Sequence, residues 1–168
     1  MEILKIENWI IKERVPYIYS SKTLGATKFS THFLPPEYIS FLEKYTSFNN
    51  PDDSAWFLML EDFSENSGSA FSWDEFEKQG LETAIDYDGA KEIEDFWLNH
   101  LPILISVKDG YSYLAIELLT NGNHRIVWGR EPEYEEISHF CDSFSDLLDV
   151  VAKHITGRQS NSILEKIT

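Results

Sequence analysis

The sequence predicts an α+β fold in which an antiparallel sheet ends in a C-terminal meander and helices pack mainly on one face of that sheet. Three observations lead there. Helical stripes of apolar residues recur at residues 38–45 and 144–155. Between them, residues 103–129 read as three strands broken by two turn-forming clusters. Helices and strands that are grouped in this way build layered α+β domains. The length of 168 residues suggests a single domain, long enough to bury a core without disulfide or metal staples. The expected division is a domain over 1–157 and a tail over 158–168.

In chain order, Glu2 to Glu13 reads as a first helix, because Ile3, Ile6 and Ile10 share a face with Trp9 beside it. Pro16 ends it. The second helix is better marked. Pro35-Pro36 suits a first helical turn, and Tyr38, Phe41, Leu42 and Tyr45 follow the spacing of a buried stripe. Asn49-Asn50-Pro51 with Asp52 and Asp53 is a loop. Ala55 to Leu60 is a continuous apolar run of strand length, and 61–69 is a polar loop. A brief strand at Ala70-Phe71 leads into a short helix over Trp73 to Gln79, stopped by Gly80. Residues 82–90 fit neither period. Ala90 to His100 is helical, with Ile93, Phe96 and Trp97 inward, and ends before Pro102.

The meander follows. Ile103 to Val107 is a strand, and Asp109-Gly110 suits the positive φ values of a tight hairpin. Tyr111 to Leu119 alternates, with Leu114, Ile116 and Leu118 on one face. After Asn121-Gly122-Asn123, His124 to Gly129 carries Ile126 and Trp128 on one face. Ser143 then opens the last helix, with Asp146 three residues on as in a capping box. Phe144, Leu147, Leu148, Val151 and Ile155 make its stripe, and Gly157 closes it.

Charge narrows the function. Twenty-nine acids face fourteen bases, a formal net charge of −15. Direct nucleic-acid binding needs basic clusters that displace counterions from phosphates, and none is present. Anionic membranes are disfavoured for the same reason. The acids are unevenly placed: residues 52–95 hold fourteen against Lys78 and Lys91, and Glu131 to Asp149 contains no Lys or Arg. Such a surface keeps a protein dissolved and also draws in a basic partner. The single cysteine, Cys141, gives no internal disulfide and no sign of an oxidising compartment. Met1 to Trp9 reads as neither signal peptide nor anchor, and the expected location is the cytoplasm.

The residues suggest no catalytic chemistry. His139 and Cys141, near Glu136, lack further ligands at zinc spacing. No nucleophile motif surrounds Cys141, which reads as an inert buried thiol. Asp86 and Asp88 with Gly89 fall short of a calcium loop, because the glycine comes too early. Adjacent carboxylates such as Glu61-Asp62 arise by chance in so acidic a chain. There is no Gly-rich phosphate loop and no serine elbow. The expectation is no catalytic residue, no metal and no cofactor.

Aromatic residues point instead to protein binding. Trp56, Trp73, Trp97 and Trp128 read most simply as core, with Trp73 the one that has a second reading. Trp73 sits between Ser72 and the acids Asp74 and Glu75, where an aromatic can anchor an interface. Tyr111 and Tyr113 lie on the strand face opposite Leu114 and Ile116; they form an aromatic platform if that face is open, or pack under the N-terminal helix if it is not. Tyr134, among Glu131, Glu133, Glu135 and Glu136, is expected to be exposed.

Several of these segments together resemble the SUKH superfamily. They are Leu34-Pro35-Pro36-Glu37-Tyr38 with Phe41-Leu42, Leu101-Pro102-Ile103, Asp109-Gly110, Tyr113-Leu114-Ala115-Ile116, Trp128, and Ser143-Phe144 with Leu147-Leu148. The resemblance spans about residues 34–152. It departs from the family at Asn49-Asn50-Pro51, where Gly-rich turns are common. The superfamily contains Smi/Knr-type cell-wall regulators of yeast and many bacterial immunity proteins. It implies an α+β fold and neutralisation of a cognate protein toxin by direct binding. Toxins of such systems are frequently nucleases, whose basic clefts an acidic inhibitor can occupy. The expected partner surface comprises Trp73, Asp74, Glu75, Asp86, Asp88, Tyr111, Tyr113, Glu131, Glu133 and Tyr134. The alternative is a regulatory or scaffold adaptor of the Smi/Knr type.

Overall fold

The computed structural model of the protein describes residues 9–14, 34–63 and 71–168. Its strands are β1 Ile10–Glu13, β2 Tyr45–Asn49, β3 Ala55–Phe57, β4 His100–Ser106, β5 Ser112–Leu118, β6 His124–Arg130 and β7 Ser138–Cys141. They form one seven-stranded antiparallel sheet in which every strand pairs with the next in the chain. The helices are α1 Pro36–Lys44, α2 Glu75–Thr83, α3 Tyr87–Trp97, α4 Phe144–Ile155 and α5 Ser162–Ile167, with a short 3-10 turn at Leu60–Phe63. The α+β class expected from the sequence is the class observed.

Both faces of the sheet's centre are covered, and β4 is buried along its whole length. Cross-strand register puts Phe57, Leu104, Leu114 and Trp128 in one row and Trp56, Ile105, Tyr113 and Gly129 in the next. Adjacent rows point to opposite faces. On the first face lie α1 and α4. The Phe41 ring sits 5.4 Å from Phe57 and 5.2 Å from Phe144, and Tyr38 lies 5.0 Å from Phe144. α5 joins them, with Lys166 over the Trp128 ring and Leu164 and Ile167 buried. On the second face lie α2 and α3, whose Phe76 and Trp97 rings are 5.1 and 5.2 Å from Tyr113. Among the described residues three helices thus share one face and two cover the other.

Gly129 makes the second face possible. A Cβ there would lie 2.4 Å from the Tyr113 ring. The missing side chain lets the ring cross β6 and reach the loop beyond. At the other end of the sheet, buried Asn50 closes the β2–β3 turn. Its Oδ1 accepts from Ala55 N at 2.9 Å, and its Nδ2 donates to Ser54 Oγ and to the Thr168 carbonyl. The last helix is capped as expected: Ser143 Oγ accepts from Asp146 N at 3.0 Å, and Gly157 follows with φ +66°.

Several local expectations are corrected. The segment expected as a first helix is a strand over its described part, Ile10–Glu13, and residues 2–8 lie outside the described residues. Ile10 and Ile11 pair in register with Asn49 and Phe48, and β-branched residues suit that role. β2 begins directly at the end of α1, so Tyr45 belongs to a strand rather than to the helical stripe. The apolar run 55–60 is a strand only to Phe57 and then turns. No strand forms at Phe71, which lies in a bend; Ala70 is outside the described residues. Gly80 does not stop a helix but sits inside α2. β7 is a fourth strand of the meander that the sequence did not suggest.

Candidate protein-binding surface

The surface is built on α2 and α3, which pack against each other across Gly80. A Cβ at Gly80 would lie 3.3 Å from Ile93 Cγ2 and 3.2 Å from Glu135 Oε1. An alanine there would require the Ile93 and Glu135 side chains to give way slightly. Each helix sends few side chains into the core: Phe76 from α2 and Trp97 from α3 are the fully buried large ones. Their remaining eighteen positions hold seven acids against two bases, Lys78 and Lys91. Asp86 forms the α3 N-cap, its Oδ1 accepting from Gly89 N at 2.9 Å.

The β6–β7 loop brings the second acidic stretch to the same side. Tyr113 donates its hydroxyl to the Tyr134 carbonyl. Tyr134 in turn donates to Gln79 Oε1 at 2.8 Å, and its ring lies 4.8 Å from Phe76. Trp97 Nε1 donates to Glu135 Oε1 at 3.0 Å. Burial pushes the Tyr134 phenol up to about 12, helped by the negative charges of Glu131, Glu135 and Glu75 and by Tyr111. Residues 74–95 and 131–136 therefore form one region. They carry thirteen acids against Lys78 and Lys91, a formal charge of −11 within a chain total of −15.

The expected site residues fare differently within it. Asp86, Asp88, Glu131 and Glu133 are exposed. Asp74 is half-buried and paired with Lys78 at 2.8 Å. Burial alone would raise its carboxyl, but the hydrogen bonds and charge of Lys78 and Ser72 outweigh this and hold it below its ordinary value. Glu75 is tied to Ser72 and Gln79. Trp73 is half-buried against Phe63, the ring centroids 6.0 Å apart. Tyr111 is 39% exposed and rests on Phe71.

Two expectations about exposure are corrected. Tyr113 is 0% exposed and sits under α2 and α3, so its strand face is no open platform, and the cover is not an N-terminal helix. Tyr134 is only 6% exposed although acids surround it in sequence. The chain there turns its ring inward and leaves Glu131, Glu133 and Glu136 outside.

The structure also exposes two residues that sequence reasoning missed. Ile85 is 99% exposed and Tyr87 79% exposed, on either side of the Asp86 cap. Their signal was position. They fall between two helical stripes, next to a capping Asp, where a side chain has no core to reach.

Elsewhere the chemistry is quiet. Burial raises the Cys141 thiol to about 12, so it stays protonated and its Sγ donates to the Ser143 carbonyl. His139 pairs with Asp142 at 2.9 Å. Among the described residues no group of three or more His, Cys, Asp or Glu side chains is placed to hold a metal, and no helix is long and apolar enough to cross a membrane.

Comparison with known proteins supplies one decisive finding. The model of the SMI1 / KNR4 family (SUKH-1) matches residues 28–150. The chain belongs to the SMI1 / KNR4 family. No curated protein and no solved structure matches it. The SMI1 / KNR4 match runs from before α1 into α4, so both acidic stretches lie inside the family domain, while α5 lies beyond it.

Proposed function

We propose that this protein is an immunity protein that neutralises a basic protein toxin by binding it through the α2–α3 and β6–β7 surface. The observation that carries this reading is the meeting of two acidic stretches, distant in sequence, on one side of the sheet. A concentrated negative field steers a cationic partner, raising association rates to ~10⁸ M⁻¹s⁻¹ or more at low salt. It repels phosphate backbones, which argues against nucleic acid as the direct ligand. Family membership supports the same direction, since SMI1 / KNR4 proteins are in general immunity or regulatory proteins and not enzymes. A nuclease, with its cationic substrate cleft, is the toxin class that this charge best complements.

The test is protection. The product of the adjoining gene is expressed alone and together with this chain. Growth arrest that this chain relieves is the expected result. Absence of arrest, or arrest without relief, overturns the reading. Stable co-purification with a cell-wall or signalling enzyme would instead assign the chain to the family's regulatory branch.

A further inference from the structure

We infer that the α2–α3 turn is the anchor of the interface: Ile85 and Tyr87 insert together into an apolar pocket set within the cationic surface of the partner protein. This inference rests on the binding reading above and adds which residues hold the partner once charge has drawn it in.

Single exposed apolar side chains are common on protein surfaces. Here two large ones stand two residues apart at 99% and 79% exposure, and Leu98, next among the described residues, is only 51% exposed. Asp86 between them has extended backbone, φ −146° and ψ 179°. The chain bends at Asp86, and Ile85 just before it and Tyr87 at the first position of α3 both project into solvent. The Asp86 carboxylate turns back to Gly89 N, and the Asp86 carbonyl accepts from Ala90 N at 3.1 Å. The turn is thus fixed by the cap of α3, and little ordering remains to be done on binding.

The surroundings select the occupant. Glu82, Asp86 and Asp88 flank the pair and are exposed. A second copy of this chain would bring like charges together around the contact, which is unfavourable. A phosphate-rich surface would be repelled. A cationic protein with an apolar pocket matches both features. Tyr is enriched among interface hot spots, which fill desolvated pockets surrounded by contacts that exclude water.

The experiment uses the full chain and the purified product of the adjoining gene as the probe. Dissociation constants are measured for wild type, for Tyr87→Ala, for Ile85→Ser, and for a variant with Glu131 and Glu133 changed to Gln. Thermal unfolding is followed in parallel; both anchor positions are exposed, so the melting temperature should stay near that of wild type. The expected result is a loss of about thirtyfold or more for each anchor substitution, carried by faster dissociation, and a smaller, salt-sensitive change for the charge variant. Wild-type affinity in Tyr87→Ala and Ile85→Ser, with weakened binding in the charge variant, would overturn the anchor and leave the acidic-surface reading standing. No binding by wild type would overturn that reading and the anchor with it.

Discussion

The two faces of the sheet are built from the same materials to different ends. On one face, α1 buries Tyr38, Phe41 and Leu42, and α4 buries Phe144, Leu147 and Val151. The helices there are fastened by interlocking aromatic rings and carry four acids against two bases, where α2 and α3 carry seven against two. On the other, α2 and α3 bury little besides Phe76 and Trp97 and are fastened by polar links from the β6–β7 loop, through Tyr134 and Glu135. The first arrangement gains its stability from apolar burial. The second keeps its outer side free for charge, and hydrogen bonds hold it in place. On the proposed function, stability and recognition fall to opposite sides of one sheet, and substitutions should separate them.

The largest expected effect lies on the first face. Phe144→Ala removes a fully buried ring that contacts both Tyr38 and Phe41. It should cost about 3–5 kcal/mol in denaturant unfolding. A loss under about 1 kcal/mol would show that this face is not the dominant core. Next comes the polar fastening of the second face. Tyr113→Phe deletes the hydroxyl that holds the Tyr134 carbonyl and should cost about 1–2 kcal/mol. Amide exchange should quicken in residues 131–136 while α4 keeps its protection; equal quickening in both would break the proposed separation. Ser143→Ala removes the cap of α4 and should cost about 1 kcal/mol. The smallest stability effect is expected from Asp86→Asn with Asp88→Asn, under about 0.5 kcal/mol, because Asn caps a helix as well as Asp and residue 88 is exposed. A larger loss would mean that the acids serve the fold.

The two faces also differ in how far they could be read from sequence. The stripes of α1 and α4 and the turns of the meander are local signals, and they placed the first face and the central strands. The segments that failed are those where long-range contacts decide. Residues 10–13 are a strand because β2 lies alongside, and nothing in Ile10-Ile11-Lys12-Glu13 announces that partner. Gly80 resembles a helix stop by type, but serves close packing against Ile93 and Glu135, which lie far along the chain. Tyr134 looked exposed because its sequence neighbours are acids; its ring is held inward by Gln79 and Phe76 from α2. The two acidic stretches were each visible, whereas their adjacency follows only from the path of the β6–β7 loop. Ile85 and Tyr87 went unnoticed because residues 82–90 fit neither the helical nor the strand period, so neither side chain was assigned a face.

The central claim is that the joined acidic stretches recruit a basic protein partner. Its most direct test is the association rate of the adjoining gene's product with wild type and with a variant carrying amides at Glu82, Asp86, Asp88, Glu131 and Glu133, at low and at high salt. The expected result is association slowed about tenfold or more at low salt, with the difference largely gone at high salt, where charges are screened. Equal rates at low salt would contradict the claim and leave the acidic surface as a device for keeping the protein dissolved.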